Sequence, residues 1–336
     1  FLAEPVLLAC AALIGIGTLL RVVPGFAALM LGTVILGSGI AVANVLLPAF
    51  VKSHFPAKIG LMTAFYLVSM SGGATLSAVV AVPLTIASGS WRIPAVVWAL
   101  PALLAAVAWL MHLRHGRGEK APVARYGTLW RNPLAWQVTV FMGLQSVSFY
   151  SMATWLPTVL IDAGLSRAAA GGHLSMLTLL GIPASLLVPV LAMRLHDQRL
   201  LALGLSVLTL AGFAGLLVAP ATWTLLWTSL TGIGLGAAFS VSMSLIVLRS
   251  IDAHEAAQLS SMAQTGGYLL ATLGPIMVGA FHDLTGGWHA SMWLLIVATL
   301  IQCVVGVLAG RRLTVGSSGA SGEQPAGAAN EHRYRE

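Results

Sequence analysis

The chain has 336 residues, 58% of them hydrophobic and only 8% charged, with a mean hydropathy of +0.91. A soluble domain carries about 25% charged residues, so this composition excludes a water-soluble globule. The net charge of +7 arises from Lys and Arg spread over short loops and a polar tail, which suits orientation in a membrane better than binding to nucleic acid.

Spans are expected where Asp, Glu, Lys and Arg are absent, because a helix needs roughly 20 apolar residues to cross about 30 Å of hydrocarbon. No basic segment with a small-residue cleavage site follows Phe1, so no signal peptide is expected and the chain reads as the interior of a longer protein. The first four spans are 5–20, 26–50, 59–87 and 93–113, followed by a polar stretch at 114–131. The fifth and sixth are 136–161 and 168–193. The charge-free run 200–248 is too long for one helix, and Pro220, Ala221 and Thr222 divide it into spans seven and eight. Spans nine and ten are 259–281 and 290–310, and a Gly-, Ser-rich tail is expected to be disordered.

With the central polar stretch on the cytoplasmic side, fourteen of the 17 Lys and Arg residues fall inside, and Arg21, Arg92 and Arg167 fall outside. Both ends of the chain are then cytoplasmic. Trp91, Trp223, Trp227 and Trp288 lie near the outer boundary, Trp130 and Trp136 near the inner one, as interfacial anchors do. Cys10 and Cys303 sit in separate apolar stretches and are expected to be packing residues, neither disulfide nor metal ligands.

Sliding the chain against itself at an offset of 197 residues pairs Gly15 with Gly212, Gly37 with Gly234, Gly39 with Gly236, Lys52 with Arg249 and Trp91 with Trp288. Spans one to four therefore repeat as spans seven to ten. Spans five and six have no counterpart, so two equal halves would require two helices ahead of Phe1, on the order of 60 residues.

Chemistry-bearing patterns are sparse. Gly232-x-Gly234-x-Gly236 lies inside an apolar helix with no strand before it, so it serves close helix approach rather than a nucleotide. No catalytic constellation appears, and no enzyme activity, cofactor or metal is expected. No carboxylate occupies the middle of a span, although such groups are the usual proton relays. What remains are neutral polar groups, which in hydrocarbon cost a few kcal/mol unless bonded and so face other helices or a wet cavity. Asn44, Tyr66, Gln145, Tyr150, Gln264 and Tyr268 are the candidate substrate-binding residues, Gln264 and Tyr268 sharing a face four residues apart. Ser and Thr, among them Ser242 and Ser244, are expected to bond their own helix backbone. His173 reads as interfacial, and Gln302 as packed against a neighbour. Pro48, Pro83, Pro157, Pro183, Pro189 and Pro275 interrupt spans, with Gly274-Pro275 the sharpest break.

These motifs resemble the cyanate and 2-nitroimidazole transporter family of the major facilitator superfamily. The resemblance rests on Asn44-Val-Leu-Leu-Pro-Ala-Phe-Val-Lys52, Gly60-Leu-Met-Thr63, Trp130-Arg-Asn-Pro-Leu-Ala-Trp-Gln137 and Gly143-Leu-Gln-Ser146. Trp155-Leu-Pro157, Asp162-Ala-Gly-Leu165, Gly267-Tyr268, Leu273-Gly-Pro275, His282-Asp283 and Gly287-Trp288 extend it, and it runs from about Pro5 to Arg312. It implies a twelve-helix fold of two six-helix bundles and alternating access around a central site lined by spans two, three, five and nine. It also implies small, often anionic or weakly polar solutes. The family's first helix, with an Arg near a Pro, has no match here, and the loop 194–199 matches the superfamily's Asp-Arg loop only loosely.

The expected fold is thus an all-α integral membrane protein of the major facilitator kind, with ten of twelve transmembrane helices present. Residues 1–113 are the remainder of an N-terminal bundle, 114–135 a cytoplasmic linker, 136–312 a C-terminal six-helix bundle and 313–336 a disordered tail. The expected function is secondary active uptake of a small polar or anionic solute across a bacterial inner membrane. The partners are that solute, a coupling proton and the lipid bilayer, with no nucleic acid and no obligate protein partner. A transporter-derived sensor or scaffold and a small-molecule efflux pump are the alternatives.

Overall fold

The structure is a computed structural model and describes residues 3–115 and 129–315. The middle of the expected linker and nearly all of the expected tail lie outside the described residues. Ten α-helices follow one another among the described residues. They are α1 (Ala3–Leu20), α2 (Phe26–His54), α3 (Ile59–Ser88), α4 (Arg92–His115), α5 (Pro133–Asp162), α6 (Arg167–Arg194), α7 (Arg199–Val218), α8 (Thr224–Leu248), α9 (Ala253–Thr285) and α10 (His289–Ala309). Each coincides with one expected span. By length and composition α2, α4, α6, α7, α8 and α10 are apolar enough to cross a membrane.

The ends of these helices are set by local chemistry that a count of charges overlooks. At α5, Pro133 occupies the first helical position and the Asn132 side chain accepts hydrogen bonds from the backbone N–H of Leu134 (2.9 Å) and Ala135 (3.3 Å), satisfying donors that have no partner inside the helix. The largest departure is at α9, which begins six residues before the expected span. Its N-cap, Asp252, accepts from the Glu255 N–H at 2.8 Å, and Glu255 reaches back to the Ile251 N–H at 2.7 Å. Two carboxylates that looked like a boundary are the reciprocal cap of the helix.

Within the first four helices, α1 packs on α2 and α4, and α3 touches both α2 and α4. Within the last four, α7 packs on α8 and α10, and α9 touches both α8 and α10. The two sets are therefore built alike. α5 lies along α9 and α10, and α6 along α8. The first four helices meet the remainder mainly where α2 lies on α9 and α3 on α6.

The glycine contacts fix the register of this repeat. A Cβ on Gly17 would meet the Leu36 nitrogen and the Gly32 carbonyl, and one on Gly212 would meet the Thr231 nitrogen and the Trp227 carbonyl. A Cβ on Gly39 would meet the Cys10 carbonyl, and one on Gly234 the Leu205 carbonyl. Every one of these pairs is separated by 195 residues, as Gly17 is from Gly212. At the α3–α4 and α9–α10 turns the separation is 197: Gly89 and Gly286 both end their helices with positive φ, 66° and 68°, followed by Trp91 and Trp288. The expected repeat is present, but its first half is displaced by two residues, so Gly39 matches Gly234 and not Gly236. Three glycines at two-residue spacing allow two registers in sequence, and only the partner helix distinguishes them.

Those three glycines do separate work. Gly232 and Gly236, on one face of α8, lie against the backbone of α6 at Leu177 and Gly181, while Gly234 lies against α7. Close backbone approach of this kind replaces the hydrophobic drive that lipid removes. The Gly236→Ala change would place a methyl 2.5 Å from the Gly181 Cα and is expected to cost about 1–3 kcal/mol in chemical unfolding of the purified protein in detergent. Gly37→Ala, with nothing within 4 Å of the added carbon, is expected to leave the midpoint unchanged or slightly raised.

Candidate functional site

Five of the six candidate polar residues gather along α9. Gln264 is 3% exposed; its amide donates to the Asn44 main-chain oxygen on α2 at 2.8 Å and to the Ser260 hydroxyl at 2.9 Å. The Asn44 side chain is half-buried beside it. One turn along α9, the Tyr268 ring meets Tyr150 of α5 edge-on, with centroids 6.5 Å apart. Tyr66 of α3 packs against the same core as Tyr268, and the two phenols are close enough to interact electrostatically. Tyr150 remains 44% exposed although it lies mid-helix. Three phenols and two amides carried by α2, α3, α5 and α9 thus lie near one another without a full charge among them.

Gln145 is placed differently. It is 2% exposed and donates to the Leu235 carbonyl of α8 at 3.1 Å, while Ser146 donates to its oxygen at 3.1 Å. Its contacts are therefore with α8, on another side of α5 from Tyr150. Ser148 and Ser151, fully buried on α5, have hydroxyls with no hydrogen-bond partner among the described residues. Ser151 lies where Gly274 brings α9 closest: a Cβ there would be 2.8 Å from the Ser151 hydroxyl. Next to that contact, the Trp155 indole donates to the Pro275 carbonyl at 2.8 Å, bracing the α9 break.

The other polar expectations are placed as follows. Ser242 and Ser244 bond the carbonyls of Ala238 and Ser240 one turn back. Gln302 donates to the Ser206 hydroxyl of α7, and His173 shares a hydrogen bond with Thr228 of α8. Cys10 and Cys303 are both buried and free. The six expected prolines all lie inside helices, as does Pro101 of α4. Among the described residues no group of His, Cys, Asp and Glu could hold a metal ion.

Two groupings at helix ends were not visible in the sequence. Glu4, at the start of α1, sits between His54 (3.5 Å) and His112 (3.7 Å), which come from the last turns of α2 and α4. Lys52, near the end of α2, donates to the carbonyls of Val247 (2.7 Å) and Ser250 where α8 ends, with Asp252 and Glu255 nearby. The only sequence signal for either was polar residues recurring in terminal turns. At this same end α3 meets α6, since a Cβ on Gly60 would stand 2.8 Å from Met193 Cγ. A Cβ on Gly72 or Gly73 of α3, or on Gly171 or Gly172 of α6, would meet nothing from another described element within 4 Å.

Residues 3–275 match the Major Facilitator Superfamily. The chain is 40% identical over 299 residues to an uncharacterized transporter, YycB, of Bacillus subtilis (strain 168), covering 88% of this chain and 74% of that protein. It is 36% identical to a 2-nitroimidazole transporter of Escherichia coli (strain K12), over 92% of this chain and 79% of that one. To the cyanate transport protein CynX of the same organism it is 30% identical, over 88% and 76%. Among solved structures it resembles the transporter FucP in its outward conformation (TM-score 0.75, 11% identity, 92% of this chain and 83% of that one). A bacterial homologue of ferroportin in an outward-facing state gives a TM-score of 0.72 at 17% identity, over 92% and 84%; at these identities the likeness concerns the fold. The helix pattern, the repeat and these relatives agree that the chain is a multi-pass membrane protein belonging to the Major Facilitator Superfamily.

Proposed function

We propose that this protein is a secondary active transporter that takes up a small polar or anionic solute across a bacterial inner membrane by alternating access. The carrying observation is the uncharged cluster of Asn44, Gln264, Tyr268, Tyr66 and Tyr150, where helices from both halves meet around one mid-helix position. Phenol and amide groups give a small solute hydrogen-bond donors and acceptors without the tight hold of an ion pair. The relatives named for 2-nitroimidazole and cyanate transport support this solute class. Gln145 belongs to the proposed site through the Ser146–Gln145–Leu235 chain of bonds, which fixes α5 against α8 behind Tyr150.

Both termini are assigned to the cytoplasm, the side that the Lys and Arg excess favours. Residues 1–113 and 136–312 form the two moving bodies, and 114–135 the linker between them. A coupling proton finds no carboxylate in the interior of the described helices; Glu4 with His54 and His112 is a titratable cluster at the ends of α1, α2 and α4.

Alternation needs contacts that hold one end closed and can be released. Gln264 to Asn44 and Lys52 to the end of α8 bridge the two bodies over the last ~12 Å of α2. A Cβ on Gly37, farther along the same helix, would meet nothing from another described element within 4 Å. This supports a state closed at the Lys52 end and open at the other.

Two measurements test the reading. In proteoliposomes holding the full-length protein, separate Asn44→Ala, Gln145→Ala, Gln264→Ala and Tyr268→Ala changes are expected to lower uptake of labelled cyanate or 2-nitroimidazole by about tenfold, the loss of one or two polar contacts; unchanged rates would refute the site. Removing the Lys52 amine forfeits charge-assisted bonds to a helix C-terminus and should shift the conformational balance by about tenfold or more. With Cys10 and Cys303 replaced by Ala, spin labels at Ser53→Cys and Ile251→Cys should therefore show a longer distance population in Lys52→Met, and an unaltered distribution would remove the latch.

A further inference from the structure

A cavity of about 640 Å³ opens where α6, α8 and α10 end and α7 begins. Its walls include Arg194, Arg249, Arg312, His196, Gln198 and Thr314 and, among the described residues, no Asp or Glu. Three guanidinium groups around one opening call for an explanation, because cations at this density repel one another unless something negative lies between them.

Arg249 explains part of the arrangement. It is 4% exposed, and it donates through Nε to the Ala309 carbonyl at 2.9 Å and through Nη2 to the Gly310 carbonyl at 3.0 Å and to Gln198 Oε1. Gln198 is held in turn by the Ala192 and Leu195 carbonyls at the end of α6. Arg249 thereby answers the partial negative charge of the helix C-termini gathered here. Burial draws its guanidinium down to about 10, partly offset by Asp197, so it keeps its charge at neutral pH. Asp197 is itself paired with Arg199 at 3.6 Å and is not part of the cavity wall. Arg249 Nη1 has no hydrogen-bond partner among the described residues. Arg194 and Arg312 are exposed, and no ion pair joins either to a carboxylate of the described residues. After the helix ends are neutralised, two full positive charges and one unused guanidinium edge still face the opening.

The geometry points to a binding site for a phosphate group, gripped by Arg194 and Arg312 with Arg249 beneath them. The opening lies at the ends of three membrane helices, the depth at which phospholipid headgroups lie, and its volume suits a ligand of that size. The shared chemistry is an anionic phosphate, supplied either by the headgroup of an acidic lipid or by a soluble phosphate ester. The inference is independent of the solute carried and of which side of the bilayer this end faces.

Purified full-length protein in neutral detergent tests it by thermal unfolding. Dihexanoyl phosphatidylglycerol is expected to raise the melting temperature by about 3 °C at saturation, and zwitterionic dihexanoyl phosphatidylcholine to leave it unmoved. In the Arg194→Gln, Arg312→Gln double variant, which leaves the bonds of Arg249 in place, the apparent affinity should fall by at least about tenfold. Arg312→Glu alone should show the same loss and stands in if the double variant is poorly produced. An equal, arginine-dependent shift with glycerol 1-phosphate would assign the site to soluble phosphates, and a shift confined to the lipid would assign it to headgroups. A phosphatidylglycerol effect of the same size in the variants, or no shift with either anion, would overturn the site.

Discussion

Hydrocarbon offers a polar group nothing to bond with, and the internal order of this protein follows from that. Each hydroxyl or amide within a span must be answered by its own helix or by a neighbour, at a cost of a few kcal/mol where it is not. Thr18, Thr139, Ser206, Ser240, Ser242 and Thr299 all return their hydroxyls to the carbonyl four residues back, which frees them to lie at tight helix contacts. Gln145, Gln264 and Gln302 have longer side chains and reach across to α8, α2 and α7. The side chains long enough to bond beyond their own helix are therefore the ones that tie helices together.

How much of this could be read in the chain depended on which property carried the signal. Span positions were legible because charge is excluded from the bilayer core, and nine charge-free runs, one of them divided at Pro220, became ten helices. The start of α9 was not, because the same rule treats Asp252 and Glu255 as outside when they are the cap. The repeat was legible as a fact but not in register, since sequence identity at glycine cannot say which helix each glycine faces. Gly39 and Gly234 became equivalent only through their contacts with the carbonyls of Cys10 and Leu205.

The polar cluster shows the same division. That Gln264 and Tyr268 share a face follows from the pitch of a helix. That Tyr150 meets Tyr268 while Gln145, five residues earlier on α5, bonds instead to α8 depends on the path of two neighbouring helices. Charged groupings at the helix ends were least legible. Arg249 finds Gln198, Ala309 and Gly310, and Glu4 finds His54 and His112, across separations that carry no periodic pattern.

Several interfaces among the last six helices are drawn close by glycine. α5 and α9 approach until Gly143 and Gly267 are in backbone contact and Gly274 lies against Ser151, and α6 and α8 do the same through Gly181 and Gly236. Such surfaces are built from many dispersion contacts, each about 0.1–0.2 kcal/mol and steeply dependent on distance, so they resist sliding and move as one piece. α2 meets α9 and α8 through one amide bond from Gln264 and the bonds of one Lys52 amine, each worth a few kcal/mol at most and replaceable by water once parted. The seam between the first four helices and the rest thus combines those exchangeable polar bonds at α2 with the packing of α3 on α6, where Gly60 lies against Met193 and the Pro189 carbonyl.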